Sequence, residues 1–237
     1  MTDAGAVTAG PVARASVARV GIATAIAAVC GYGVMYLAAR RLEPAGFSVF
    51  GVFWGAFGLV AGAANGLLQE ATREVRARAG RDAPTGPTTR PMRVAATVAV
   101  ASATVVVGTS PLWAAHVFAE SRGLSVALLA GGLAGFCMHT TLLGMLAGTD
   151  RWSQYGSLMV TDAVIRVVIA GSAFVLGWGL SGFLWATVGG SVAWLLVLTV
   201  SATARSAAGL RTAGTVSGFL RGAGHSVAAA GASAILV

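Results

Sequence analysis

The chain has 237 residues, 56% of them hydrophobic and only 10% charged, with a formal net charge of +8 and a mean hydropathy of +0.79. That balance excludes a water-soluble globular domain of this length. All 16 basic residues are arginine, and they fall between apolar segments, not in a stripe with interleaved aromatics, so nucleic acid is excluded as a partner.

Residues 1–16 form a short polar tail without periodicity. Six apolar runs follow and predict helices over 17–39, 47–69, 94–115, 124–146, 153–176 and 180–200. Each holds about 20 residues, enough at about 1.5 Å per residue to cross a hydrocarbon core of about 30 Å. The first run is too long for the apolar core of a cleaved signal peptide, about 7–15 residues, and reads as a retained anchor. The fold expected is an all-α, six-helix transmembrane bundle in a multi-pass protein of the cytoplasmic membrane, with the lipid bilayer as its first partner.

The second run has two faces. Gly51, Gly55, Gly58, Gly62 and Gly66 recur at three or four residues and gather on one side, while Phe50, Phe53 and Phe57 occupy another. A seam of small residues lets a neighbouring backbone approach closely, and that packing is the reading preferred to a transport hinge. The charges of Glu70 to Arg78 recur at helical spacing before Gly80, so this helix is expected to run on beyond the membrane. A loop rich in proline and arginine then reaches to residue 93. The opposite connections, 42–46, 116–123 and 177–179, are short, which predicts antiparallel neighbours.

Arginine placement sets an orientation. With the N-terminus inside, inner segments carry Arg14, Arg19, Arg73, Arg76, Arg78, Arg81, Arg90, Arg93, Arg151, Arg205, Arg211 and Arg221, and outer segments carry only Arg40, Arg41 and Arg122. The asymmetry alternates correctly through all six crossings and predicts a cytoplasmic N-terminus. Trp113, Trp152 and Trp178 lie near helix ends, where indoles favour the headgroup boundary.

Asp162 and Arg166 are the sharpest local signal. Four residues apart on the fifth helix, acid before base, they share a face and can pair near the membrane middle. A charge there costs roughly 2.5–3.5 kcal/mol on insertion scales, so the pair is expected to face the bundle interior. It serves either as a structural salt bridge or as part of a pathway. A second constellation closes the second helix, where Asn65, Gln69 and Arg73 share a face beside Glu70. It can line a cavity mouth or simply solvate a helix end. His139, with Thr140 and Thr141, lies inside the fourth helix and suits interhelical hydrogen bonding better than proton carriage.

No nucleophile elbow, P-loop, zinc-binding H-E-x-x-H or close acidic cluster is present, so an enzyme is not expected, nor a cofactor. Cys30 and Cys137 read as small packing residues, and two thiols do not make a metal site.

Residues 201–216 read as a cytoplasmic linker. From 217 a further helix begins, with an apolar run from Ala223 to Val237 too short to cross comfortably. The expectation is the start of a second lobe, truncated, with the working unit larger than this chain.

Three stretches resemble one family. Ala39 through Phe47 (A-R-R-L-E-P-A-G-F) is similar to the A-R-x-L-G-P-x-x-[FY]-G segment after the first helix of polysaccharide flippases. Leu67 to Arg73 resembles the L-V-R-E-x-x-R run ending their second helix, with Gln69 where a basic residue is common. Leu146 through Trp152 and Tyr155, then Asp162 and Arg166, resembles their fourth-to-fifth helix connection. The family is the polysaccharide (O-antigen-type) flippase branch of the multidrug/oligosaccharidyl-lipid/polysaccharide exporter superfamily. Its members have two six-helix lobes, of which 17–200 resembles the first. The resemblance implies translocation of a polyprenyl-pyrophosphate-linked glycan from inner to outer leaflet by alternating access, with a second lobe from the same frame, a separate chain or a homodimer. It also implies cationic partners for the pyrophosphate, Arg166 foremost, with Arg19 and Arg73 at the cytoplasmic mouth and Asp162 holding Arg166 or coupling an ion. The competing readings are a drug or metabolite exporter of the same superfamily, and a membrane scaffold for cell-envelope glycan assembly.

Overall fold

The computed structural model describes residues 11–79, 87–118 and 122–235, with side chains over 16–78, 87–118 and 122–226. Most of the polar tail, Arg81 and the middle of the proline-rich loop lie outside the described residues. Among the described residues the chain is all-α apart from one pair of two-residue strands. In order it forms α1 (Pro11–Arg41), α2 (Pro44–Ala79), β1 (Thr88–Thr89), α3 (Pro91–Val117), α4 (Arg122–Gly148), α5 (Trp152–Leu176), α6 (Gly179–Gly189), α7 (Ala193–Val200), α8 (Ala202–Ala208), β2 (Thr212–Ala213) and α9 (Val216–Ile235). Six helical stretches are long and apolar enough to cross a membrane: Ser16–Arg41, Pro44–Arg78, Pro91–Val117, Arg122–Gly148, Trp152–Leu176 and Gly179–Val200. The described residues form a polytopic membrane bundle.

Local chemistry sets the corners. Pro44 and Pro91 open α2 and α3, where the missing N–H costs nothing, and Arg90 before Pro91 is extended at φ −104°, ψ 106°. The α4–α5 corner turns at Asp150, a non-glycine residue at φ 55°, with Arg151 N–H donating back to Leu146 O at 2.8 Å. The α5–α6 corner turns at Gly177, left-handed at φ 69°, and Trp178 N–H donates to Ala173 O at 3.1 Å. Both close the preceding helix with a six-to-one bond, which spares its last carbonyls from being orphaned. Ser201 caps α8 by accepting from the Ala204 N–H at 3.2 Å.

α4 is the central post, packed between α2 and α3, while α1 lies on α5 and α5 on α6. Its glycines explain the fit. A Cβ at Gly144 or Gly148 would run into Leu68 and Ala71, or Val75, of α2. Thr72 Oγ1 bridges the same seam, in reach of Leu68 O at 2.8 Å and Gly144 O at 3.1 Å. The aromatic face of α2 fills the core near the α1–α2 corner, where Phe50 meets Phe183 and Phe53 meets Phe118 edge to face, at 5.9 and 5.8 Å between ring centroids.

Two expectations need correction. Gly51, Gly55, Gly58 and Gly62 do not receive a neighbouring backbone, because nothing lies within 4 Å of a Cβ built at any of them. The close helix contact of this kind is made by Gly144 and Gly148 on α4 instead. The stretch expected as a linker, 201–216, holds α8 and β2, and the last helix begins at Val216. β2 pairs antiparallel with β1, Thr88 opposite Ala213 and Thr89 opposite Thr212.

Candidate functional site

Positions 51, 55, 58, 62, 65, 69 and 73 step by three or four and so fall on one side of α2. The glycines among them face open space, and Asn65, Gln69 and Arg73 are exposed. From Gly51 to Arg73 the stripe rises through 22 steps of about 1.5 Å, about 33 Å in all, the depth of a hydrocarbon core. Its first four positions are glycine, flanked by the exposed Leu59 and Val52, and it runs from one end of the bundle to the arginine-rich end.

There it meets a pocket of about 420 Å³ between α2 and α9, lined by Arg73, Arg221, His225 and Ser226 over Glu70. Glu70 is 2% exposed, and a Cβ at Gly222 would collide with its carboxylate, so α9 lies directly over the acid. Arg73 answers the buried charge: its Nε donates to Glu70 Oε2 at 2.9 Å and its Nη2 to Glu70 Oε1. A weaker contact reaches Glu74 at 3.5 Å. The Arg73 side chain as a whole is 65% exposed, which leaves N–H groups not used on Glu70 open to the pocket.

Asp162 and Arg166 come together as the spacing requires, inside the lobe. Arg166 Nε lies 3.0 Å from Asp162 Oδ2, and the side chains are 14% and 18% exposed. Arg166 Nη2 also donates to Asp162 Oδ1 at 3.1 Å, and Nη1 donates to the Thr187 carbonyl at 2.5 Å. The guanidinium stands over the Phe57 ring, 5.6 Å from its centroid. The sixth span breaks beside this group: Gly190–Val192 tighten into a 3₁₀ turn between α6 and α7. A Cβ at Gly190 would strike both Asp162 and Arg166, so the glycine makes the space the pair occupies. The pair faces α6 and the buried side of α2, away from the open stripe. His139 is buried nearby at 3% exposure, stacked on Phe136 at 5.7 Å, and its Nδ1 has no hydrogen-bond partner among the described residues.

Arg19 sits apart from both groups. It is exposed on α1, in a groove of about 250 Å³ against Trp152, Ser153 and Gly156 of α5. Of the six residues singled out from sequence, Asp162 and Arg166 thus form one group, Asn65, Gln69 and Arg73 a second, and Arg19 stands alone. Sequence reasoning missed Gly190, Thr187 and Arg221. The Gly189–Gly190 doublet was the available signal for the first two, and nothing local marked Arg221 as a partner of Arg73.

No protein-family model matches the chain. An uncharacterized protein of Mycobacterium bovis is 66% identical over 229 residues, covering 96% of this chain and 53% of the relative. An uncharacterized protein of Mycobacterium tuberculosis H37Rv is 60% identical over 239 residues, covering 55% of the relative. The chain therefore spans about half the length of these curated relatives. Among solved structures, an outward-facing MATE family transporter of the MOP superfamily superposes with a TM-score of 0.59 at 17% identity, covering 80% of this chain and 45% of that one. A MOP superfamily transporter from Pyrococcus furiosus, for which reverse polarity of the binding pocket suggests a different function, gives 0.57 at 17% identity, covering 88% and 47%. The fold is that of about half of such a transporter.

Proposed function

We propose that this chain is the first lobe of a membrane transporter that moves an anionic, lipid-linked substrate, a polyprenyl-pyrophosphate glycan, between leaflets by alternating access. The observation that carries the reading is the open stripe of α2 ending in the Arg73–Arg221–His225 pocket. A long face whose four glycines meet no neighbour within the lobe suits the wall of a cleft whose other wall is a second lobe. Arg221 and the outer N–H groups of the Glu70-paired Arg73 suit pyrophosphate, which arginine binds through paired N–H donors. A drug exporter would need the opposite polarity at this mouth, since most of its cargo is cationic. The difference in pocket polarity described for the Pyrococcus furiosus transporter makes charge the property to test. The coverage of about half of each similar transporter supports a two-lobe working unit.

The residues take distinct roles in this reading. Arg73 and Arg221 meet the phosphate first, with the amide groups of Asn65 and Gln69 offering hydrogen bonds further along the stripe. Glu70 holds Arg73 at the correct height and keeps α9 seated. Arg166, tied to Asp162 and Thr187, fixes the break in the sixth span; a phosphate has to displace the Asp162 carboxylate to use it. Arg19 lies on the α1–α5 groove and marks the same cytoplasmic side, with the N-terminus inside.

The test is translocation in proteoliposomes containing this chain together with the second half of a longer relative, with lipid-linked pyrophosphate glycan and a cationic dye as alternative cargoes. Outer-leaflet appearance of the glycan is expected only with both halves present, falling at least about tenfold in R73Q/R221Q, as loss of a charge-assisted hydrogen bond predicts. Dye movement without glycan movement, or an unchanged rate in the double variant, overturns the reading.

A further inference from the structure

A second cationic basin lies at the arginine-rich end, on the far side of α9 from the stripe. It has a volume of about 340 Å³ and is lined by Arg90, Arg93 and Thr97 at the start of α3, Arg211 beside β2, and Val216 at the start of α9. The strand pair builds it. Pairing of Thr88–Thr89 with Thr212–Ala213 brings Arg90 and Arg211, 121 positions apart in sequence, to the same rim. Thr89 Oγ1 donates to Gly214 O at 2.8 Å, and Gly214 N–H donates to Pro87 O at 2.9 Å. Arg78 Nη1 donates to the Arg211 carbonyl at 2.8 Å, pinning the strand to α2. The basin is thus held by tertiary hydrogen bonds and is not a chance gathering on a loose loop.

Its guanidinium groups are unpaired among the described residues, and the Glu74 carboxylate lies 3.8 Å from a Cβ built at Gly214 beside the strand pair. No carboxylate among the described residues forms an ion pair with Arg90, Arg93 or Arg211. Three like charges around one cavity repel each other unless an anion joins them, and guanidinium groups match phosphate oxygens in geometry as well as charge.

The same helix seam turns apolar one turn deeper. A groove of about 250 Å³ is lined by Val98 and Ser102 of α3, Leu220, Ala223 and Gly224 of α9, and Leu67 of α2. Val98 follows Thr97 of the basin, and Leu220 lies one turn beyond Val216. Head and groove therefore lie in the order that a phosphate-headed lipid presents them, charge at the interface and chain toward the membrane middle. A soluble phosphate uses the arginines and has no need of the groove.

We infer that the α3–α9 seam is a binding site for a net-anionic phospholipid of the surrounding leaflet, its phosphate held by Arg90, Arg93 and Arg211 and one acyl chain lying along Val98, Ser102 and Leu220. Basic pockets between helices at the cytoplasmic side are where such headgroups bind. The site also places a lipid against the helix that covers Glu70, so occupancy steadies α9. The assignment does not depend on which solute the lobe moves.

The experiment uses the purified full chain in a mild neutral detergent. Thermal unfolding is followed during titration with phosphatidylglycerol, with phosphatidylcholine, and with inorganic phosphate. A saturable rise in unfolding temperature is expected with phosphatidylglycerol alone. R93Q and R211Q are each expected to weaken the half-saturation about tenfold, the equivalent of one charge-assisted hydrogen bond. Both arginines are exposed, so the unfolding temperature without lipid should not fall, and relief of like-charge repulsion raises it if it moves at all. Ser102→Phe, which fills the groove and leaves the arginines intact, should weaken the lipid effect as well. Native mass spectrometry should count one retained phosphatidylglycerol in the parent chain and none in R90Q/R93Q/R211Q, which keeps the test valid if one variant folds poorly. An equal shift with inorganic phosphate makes this a soluble-anion site and overturns the proposal. An equal phosphatidylglycerol shift in the triple variant makes the effect non-specific and overturns it too.

Discussion

The Asp162–Arg166 pair offers the sharpest energetic test of the lobe's interior. Arg166 spends three hydrogen bonds on Asp162 and one on the Thr187 carbonyl. Asp162→Asn keeps the shape and removes the charge, leaving a guanidinium that is 14% exposed without its counter-ion. Breaking one side of a buried pair costs about 3–5 kcal/mol, and the residual exposure together with the surviving Thr187 bond puts this case at the low end, about 3 kcal/mol. Arg166→Met is expected to cost less, about 2 kcal/mol, because methionine keeps much of the packing and the carboxylate, 18% exposed, retains contact with water. The double variant has no charge to strand, and its cost falls to about 1–2 kcal/mol, chiefly for the lost Thr187 bond. The cycle therefore closes with a coupling of about 3 kcal/mol, and the double variant is more stable than D162N alone. Thermal or denaturant unfolding of the four proteins in one detergent measures it. Additivity within about 0.5 kcal/mol would refute the view that these groups depend on each other.

Further outcomes follow from the same geometry. Gly144→Ala is expected to destabilise by about 1–3 kcal/mol, since its Cβ meets the Leu68 backbone, which cannot swing aside as a side chain can. Gly58→Ala, facing open space, should instead be neutral or stabilising by up to about 1 kcal/mol through helix propensity; the same unfolding assay compares them, and equal effects contradict the packing described. Gly177→Ala should cost about 1 kcal/mol at the left-handed cap of α5, and Gly177→Asn less, read as a difference between the two unfolding midpoints. Single cysteines at Glu43 and Thr88, in a background with Cys30 and Cys137 replaced, should react with an impermeant maleimide from opposite sides of the membrane. Labelling of both from one side contradicts the six-span topology.

The spans and their order were legible in the sequence because they answer to one-dimensional rules. A run of about 20 apolar residues has no other solvent than the bilayer core. Pro44, Pro91 and Gly177 punctuate the helices wherever they fall, and the extension of α2 past Glu70 followed from its charge spacing. The contact between Asp162 and Arg166 was equally local, since four residues on a helix bring two side chains together.

Tertiary structure decided which faces meet. Both the glycine face and the phenylalanine face of α2 can pack, and composition does not rank them; the aromatic face won the core because Phe183 and Phe118 stand opposite it. Gly144 and Gly148 have the same four-residue spacing as Gly58 and Gly62, yet only the α4 pair receives a neighbour. The burial of Glu70 under Gly222 joins positions far apart in the chain, as does the pairing of β1 with β2, whose two-residue strands are too short to carry a period. Local pattern therefore determined what can enter the membrane and where the chain turns. The uses of Arg73, Arg90, Arg166 and Arg211 depended on distant partners, because a charge in a low-dielectric setting takes its role from whatever the fold places beside it.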